Sequence, residues 1–368
     1  MRLQFRQVFF DESAVVGLRC QLQVAAQRLG GSDRFSGVAP IQAQLAPGAR
    51  GCVGVADRLG VQLAGTRRVV ALAAMAQTAA MAQTGPPKPK VPPGRDPGGI
   101  AVAVIGAGVD YRRPDIAARL ARDGEGEIIA WDVIDDDARP LEAVPVPGRR
   151  VPAHAGTDMA EIFLSHSKST RLIAVRIPDA NPLALGGALA FACQTPARIA
   201  VLLVAGDANP QPQSWQLFAQ TARRCRHALL IVPAGQNGGH HGGDADARAT
   251  LPAGIGLDNV VVVTASDDEG RIAEAAAWGA ATVDVAFPAG EVAQPSDGDR
   301  AAALENRAAI VAAILAASLA AEEAGLDGPA LKARLLKMAQ PLPGTPARQT
   351  RFGWVQPPAK FVPHLRPQ

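Results

Sequence analysis

From residue 100 onward the chain alternates short, unbroken apolar runs with longer stretches in which apolar residues recur every three or four positions. The runs at 101–105, 127–134, 172–177, 199–204, 228–232, 260–265 and 282–286 predict strands. The helical periodicity predicts helices over 116–122, 157–163, 183–193, 214–224, 301–321 and 329–338. A strand with one wet face alternates apolar and polar residues, and these runs do not. Strands apolar on both sides, separated by helices, imply a parallel sheet covered on both faces. The pattern therefore predicts one α/β domain over residues 100–363, with no internal repeat.

The pattern changes before residue 100. Residues 85–99, "GPPKPKVPPGRDPGG", are too rich in proline and glycine for a helix or a core and read as a stiff linker. Residues 66–84, "TRRVVALAAMAQTAAMAQT", run from an arginine pair through a short apolar core to two Ala-Met-Ala sites, the order of a secretory signal. Such a signal stands first in a chain, which suggests that the true start lies near Thr66 and that residues 1–65 are an unassigned upstream segment. An ordinary alanine-rich helix is the equal alternative. The signal reading implies a secreted or periplasmic protein.

Composition narrows the function classes. Hydrophobic residues make up 48% of the chain and aromatic ones 4%, so the core must be built from small aliphatic side chains. A net charge of +3 with no basic block argues against nucleic acid as a partner. The apolar stretch 307–321 is too short to span a bilayer and is flanked by charges, so it reads as a buried helix and no membrane span is expected. Cys193 and Cys225 lack metal-ligand spacing and fall in apolar surroundings, and they read as two buried thiols in preference to a disulfide. Trp215, Trp278 and Trp354 read as packing anchors.

Three segments invite a chemical reading. "VIGAGVDYRRPDI" has the first two glycines of a dinucleotide-binding loop, Gly106 and Gly108, but Tyr111 stands where the third is needed. No cofactor is expected there. "GQNGGHHGGDADAR" sets His240 and His241 beside Asp244 and Asp246, yet adjacent histidines point apart and a polar surface loop is the simpler reading. "WDVIDDDARP" clusters Asp132, Asp135, Asp136 and Asp137. Clustered carboxylates suit a structural Ca²⁺, but without the glycine and glutamate spacing of a dedicated loop a solvated acidic turn is preferred.

Taken in order, the blocks of residues 100–361 resemble the subtilisin-like serine peptidases. "VAVIGAGVDYRRPDI" is similar to that family's V-A-V-I-D-[ST]-G-V-D-x-x-H-P-D-L, and "AHAGTDMAEIF" to its G-H-G-T-H-V-A-G-I. "LLIVPAGQNG" is similar to V-V-A-A-A-G-N-x-G. "DGDRAAALENRAAIVAAIL" falls where the family has G-T-S-M-A-A-P-H-V-A-G-A-A-A-L-L, and "RFGWVQPPA" resembles the closing G-x-G-x-V-x-A. The resemblance implies a three-layer fold, a mostly parallel β-sheet with helices on both faces, and the activity of a serine endopeptidase.

Carried over residue by residue, the same resemblance removes the chemistry. The family's acid falls on Gly106, its base on Ala155, its nucleophile on Arg300 and its oxyanion amide on Gln236. Serine acyl transfer needs a hydroxyl, a base to take its proton and an acid to orient the base, and glycine, alanine and arginine supply none of these. Asp110, His154 and Ser296 lie near the lost positions in sequence and are the displaced candidates for an unorthodox triad. The expectation is a peptidase homologue without hydrolytic activity that binds a peptide or protein ligand in the former cleft. The alternative is an active serine endopeptidase with a displaced triad.

Overall fold

The computed structural model divides the chain into two compact units, Met1–Pro86 and Pro87–Gln368. In the first it describes the backbone of three strands. In the second it describes residues 88–142, 156–178, 181–203, 215–235, 243–247, 250–290, 297–344 and 349–357, side chains at 297–299 excepted. The signal-like stretch 66–84, the paired histidines 240–241 and the positions Ala155, His154, Gln236 and Ser296 lie outside the described residues.

The first unit carries an antiparallel sheet of β1 (Arg6–Asp11), β2 (Arg19–Val24) and β3 (Ala43–Leu45), in that order. The second runs β4 (Ile100–Gly106), α1 (Pro114–Ala117), β5 (Trp131–Asp132), α2 (Gly156–His166) and β6 (Thr170–Arg176). It continues through α3 (Pro182–Gln194), β7 (Ala197–Leu202), α4 (Gln216–Arg224), β8 (Leu229–Pro233), β9 (Val260–Ser266) and β10 (Val285–Pro288). Two helices, α5 (Asp297–Glu322) and α6 (Gly328–Leu336), close it.

Seven strands form one sheet in the order β10-β9-β8-β7-β4-β6-β5, every pair parallel. Successive side chains of each strand enter opposite layers. Val102 and Val104 of β4 pack with α2 and α5, while Ala101, Ala103 and Ile105 pack with α3 and α4. Burial on both sides is why the strands read as unbroken apolar runs. The result is the α/β three-layer fold expected from the sequence.

Two elements are shorter than their patterns predict. The helix expected at 116–122 ends at Ala117, because Leu120 pairs with Leu172 and Arg122 with Ile128 in isolated bridges. The strand expected over 127–134 keeps only Trp131–Asp132, the rest turning away at the edge of the sheet. The apolar stretch near 307–321 belongs to α5, which is long and apolar enough to cross a membrane but is 83% buried over its most apolar window. Trp215 and Trp354 are buried, as packing anchors should be, and Trp278 is partly so.

The cysteine expectation is corrected. Cys193 and Cys225 form a disulfide across a separation of 32 residues, tying the C-terminal end of α3 to the C-cap of α4. The two helices lie side by side on one face, so residues distant in sequence meet at their ends. No local pattern marks such a pairing. Closing a loop of that length removes about 3–4 kcal/mol of chain entropy from the unfolded state. Cys193→Ala/Cys225→Ala should lower the unfolding free energy by about that amount in urea titrations.

Candidate functional site

The chain leaves β4 toward β5 on one side and leaves β7 toward β8 on the other, although β4 and β7 are neighbours. Connections that diverge in this way open a crevice at the carboxyl ends of the two strands, the usual position of a ligand site in an open α/β sheet. Gly106 ends β4 at this crevice, and Leu203 follows β7 beside it, its N–H bonded to the Ile105 carbonyl at 2.8 Å.

Two further elements converge there. After Gly106 the chain turns at Gly108, whose φ of +88° suits glycine, and a side chain there would meet the Pro140 carbonyl. Helix α2 starts at Gly156, and a side chain at Gly156 would run into the carbonyl of Gly108. Two glycines thus let the first turn of α2 rest on the turn after β4. On the opposite side, Asn306 of α5 donates from Nδ2 to the Leu203 carbonyl at 3.2 Å. Glu305 of α5 accepts from the N–H of Gly235, just past β8, at 2.9 Å. The ends of β4, β7 and β8, the start of α2 and the third turn of α5 therefore converge at one place.

Of the four positions assigned to catalysis by resemblance, two are described, Gly106 at the end of β4 and Arg300 in α5. Gly106 is described in full; a Cβ built there would lie 3.1 Å from the Cβ of Leu203. Arg300 is exposed in the first turn of α5. Ala155 precedes the described start of α2, and Gln236 follows Gly235. Of the displaced candidates only Asp110 is described. Arg112 grips it with Nε at 2.7 Å and a terminal nitrogen at 2.8 Å. These hydrogen bonds hold the Asp110 carboxyl below the usual carboxylate range.

The start of α2 carries a side chain that no sequence pattern singles out. Glu142 accepts from Gly156 N at 2.8 Å, from Thr157 N at 3.1 Å and from the Thr157 hydroxyl. The same hydroxyl accepts from Asp110 N at 2.8 Å. A carboxylate at a helix N-terminus satisfies donors that have no partner in the helix. Burial nevertheless raises the Glu142 carboxyl above its ordinary range, against these bonds.

The acidic turn departs from its sequence reading. Asp132 is wholly buried, and its carboxylate receives Lys88 Nζ and Arg176 at 2.9 Å. Lys88 also meets Asp135 at 2.6 Å and Asp137 at 3.6 Å, while Asp136 turns aside to accept from the Trp131 indole at 3.2 Å. Among the described residues no three side chains are arranged to hold a metal ion. Two cations of the chain itself stand among the carboxylates that were candidates for Ca²⁺. Lys88 lies in the proline-rich stretch, 44 residues from Asp132, so neither segment announces the other. Although burial pulls the ammonium pKa down, the bonds to Asp132 and Asp135 hold it above its ordinary value. Its contribution is thus complete below the unfolded value and is lost only as pH rises through the folded one.

Lys88→Met leaves a buried carboxylate with one cation instead of two and should cost about 1.5–3 kcal/mol, the range for a hydrogen bond to a charged group. Exposed Lys90→Met, two residues on, should change the denaturation midpoint little.

No family model matches the chain. A thermophilic serine proteinase from Bacillus sp. (strain AK1) is 26% identical over 214 residues, 55% of this chain and 47% of that one. The chain thus spans about half the length of the curated relative it matches. Among solved structures, a protease from Pseudoalteromonas arctica superposes with a TM-score of 0.54 at 16% identity, covering 71% of this chain and 88% of the other. A lanthipeptide protease gives 0.53 at 16% identity, with 71% and 87% covered. A cold-adapted subtilisin-like serine proteinase gives 0.50 at 16% identity, with 73% and 94% covered. A parallel sheet in this order, with β4 and β7 diverging at its centre, is the fold that this chain shares with the subtilisin-like serine proteinases.

Proposed function

We propose that this chain is a peptidase homologue that has lost hydrolysis and keeps the crevice as a binding surface for a peptide or protein ligand. The observation that carries the reading is the pair of residues at the acid and nucleophile positions. Gly106 has no side chain, and the Cβ of Leu203 stands 3.1 Å from where one would begin. Arg300 is a permanent cation, able to donate hydrogen bonds and unable to attack a carbonyl. With Ala155 at the base position, no proton acceptor serves a hydroxyl at any of the three places.

The displaced triad is the competing reading. Asp110 argues against it: a carboxylate with both oxygens held along one edge of the Arg112 guanidinium is committed on its own turn. The Cys193–Cys225 disulfide supports export to an oxidising compartment, in line with the signal-like order of residues 66–84. No nucleic acid, membrane span or cofactor enters this reading.

Purified protein should show neither fluorophosphonate labelling nor casein hydrolysis, while immobilised protein should retain peptides reversibly from a casein digest. Labelling that is abolished by Ser296→Ala would overturn the reading in favour of the displaced triad. Because Lys88 and Arg176 already stand among the carboxylates of the acidic turn, millimolar Ca²⁺ should leave the melting temperature unchanged. A calcium-dependent rise of several degrees that is lost in Asp135→Asn would show a structural ion there instead.

A further inference from the structure

Glu305 is a charged residue type inside the apolar face of α5, and its side chain is essentially inaccessible, at 1% exposure. Its two oxygens serve different parts of the chain. Oε2 accepts from Gly235 N at 2.9 Å, and Oε1 accepts from Ala277 N at 3.0 Å. Gly235 immediately precedes Gln236, and Ala277 lies in the segment that leads into β10. One carboxyl therefore joins the helix that bears Arg300 to the end of β8 and to the approach to β10.

The joint is closely fitted. Gly235 has φ of +102°, and a side chain there would collide with the hydroxyl of Thr250. That hydroxyl donates to the Ala234 carbonyl at 2.6 Å. Among the described residues, what faces the carboxyl is otherwise uncharged: Ala234, Gly235 and Thr250 from the β8 side, Ala276 and Ala277 from the β10 side. On α5, Asn306 is turned to Leu203. Arg300 and Arg307 leave the helix roughly 140° and 160° around from Glu305. Among the described residues no ionised side chain contributes to its titration; burial, opposed by the two N–H donors, pushes the carboxyl up to about 8.

We propose that Glu305 is a proton-linked positioning residue of the crevice, holding the end of β8 and the approach to β10 against α5 while protonated and releasing them as it ionises. The reasoning is linkage. A carboxyl exposed by local opening ionises near its ordinary value, whereas the closed site keeps the proton up to about 8. Between those values opening releases a proton, so each unit of pH favours the open state about tenfold. Above the folded value both states are ionised and the dependence ends. The two amide protons that Glu305 holds report the opening directly. The consequence for ligands rests on the peptide-binding reading above: affinity should fall over the same interval.

The test is hydrogen exchange at Gly235 and Ala277 in the full chain between pH 5 and pH 9, corrected for intrinsic rates. Protection should fall about tenfold per unit up to about pH 8 and then level off. In Glu305→Gln, which keeps the shape and one of the two acceptor oxygens but cannot ionise, it should be flat across the range. Equal slopes in both proteins, or no slope in the unaltered chain, would overturn the proposal. Should Glu305→Gln fail to fold, the ¹³C shift of the Glu305 carboxyl decides: a midpoint near 8 supports the proposal and one near 4.5 refutes it. Fluorescence anisotropy of a labelled casein-derived decapeptide reports the crevice. Binding that weakens with the amide protection supports the link. Binding at no pH refutes the peptide-binding reading and leaves the exchange result to judge Glu305 alone.

Discussion

A parallel sheet has no wet face, and nearly every other feature here answers that constraint. Seven strands present apolar side chains above and below, and one layer is covered by α5, a 26-residue helix that reaches β4 and all of β7 through β10. A helix laid so deeply carries its few polar residues into places without water. Each must then find a partner on the sheet. Asn306 finds the carbonyl after β7, and Glu305 finds two amides beyond β8 and before β10. The demands of burial thus supply the contacts that fix the first turns of α5 over the crevice.

A second consequence concerns charge. Asp132 lies at the edge strand where a short β5 leaves the carboxylate covered. An isolated anion there would be costly to desolvate. The chain answers with Arg176 from the adjacent strand and Lys88 from a segment that precedes the sheet. The proline-rich stretch is therefore part of the domain it introduces. Tyr111 donates to the Pro89 carbonyl at 2.7 Å, and Asp96 accepts from Arg122 N at 3.1 Å, so it is bound along its length.

The fold was legible where periodicity decides it. The runs at 101–105, 172–177, 199–204, 228–232 and 260–265 all became strands, because unbroken apolarity leaves few other places for a short segment. The 116–122 pattern failed because two of its residues were recruited into bridges, a tertiary pairing that outweighs helix propensity. For the site, block order pointed to Gly106 and Arg300, of which the first ends β4 and the second lies in the first turn of α5. Lys88, Glu142 and the Cys193–Cys225 pair were not legible, since each depends on a partner that only the folded chain brings near. Glu305 was visible only as a charge interrupting an apolar helix; its partners were not.

The contact between Gly106 and Leu203 bears on how this lineage could change. The nearest atom to a new side chain is the Cβ of Leu203, which the backbone fixes and no rotamer can move. Any larger residue at 106 needs the end of β7 to shift by a few tenths of an ångström, and that end is tied by Asn306 to α5. Any side chain added at 106 is thus coupled to the packing at 203 and, through it, to Asn306. The glycine works as a spacer: whatever is added at 106 is felt at the end of β7 before it is felt in the crevice.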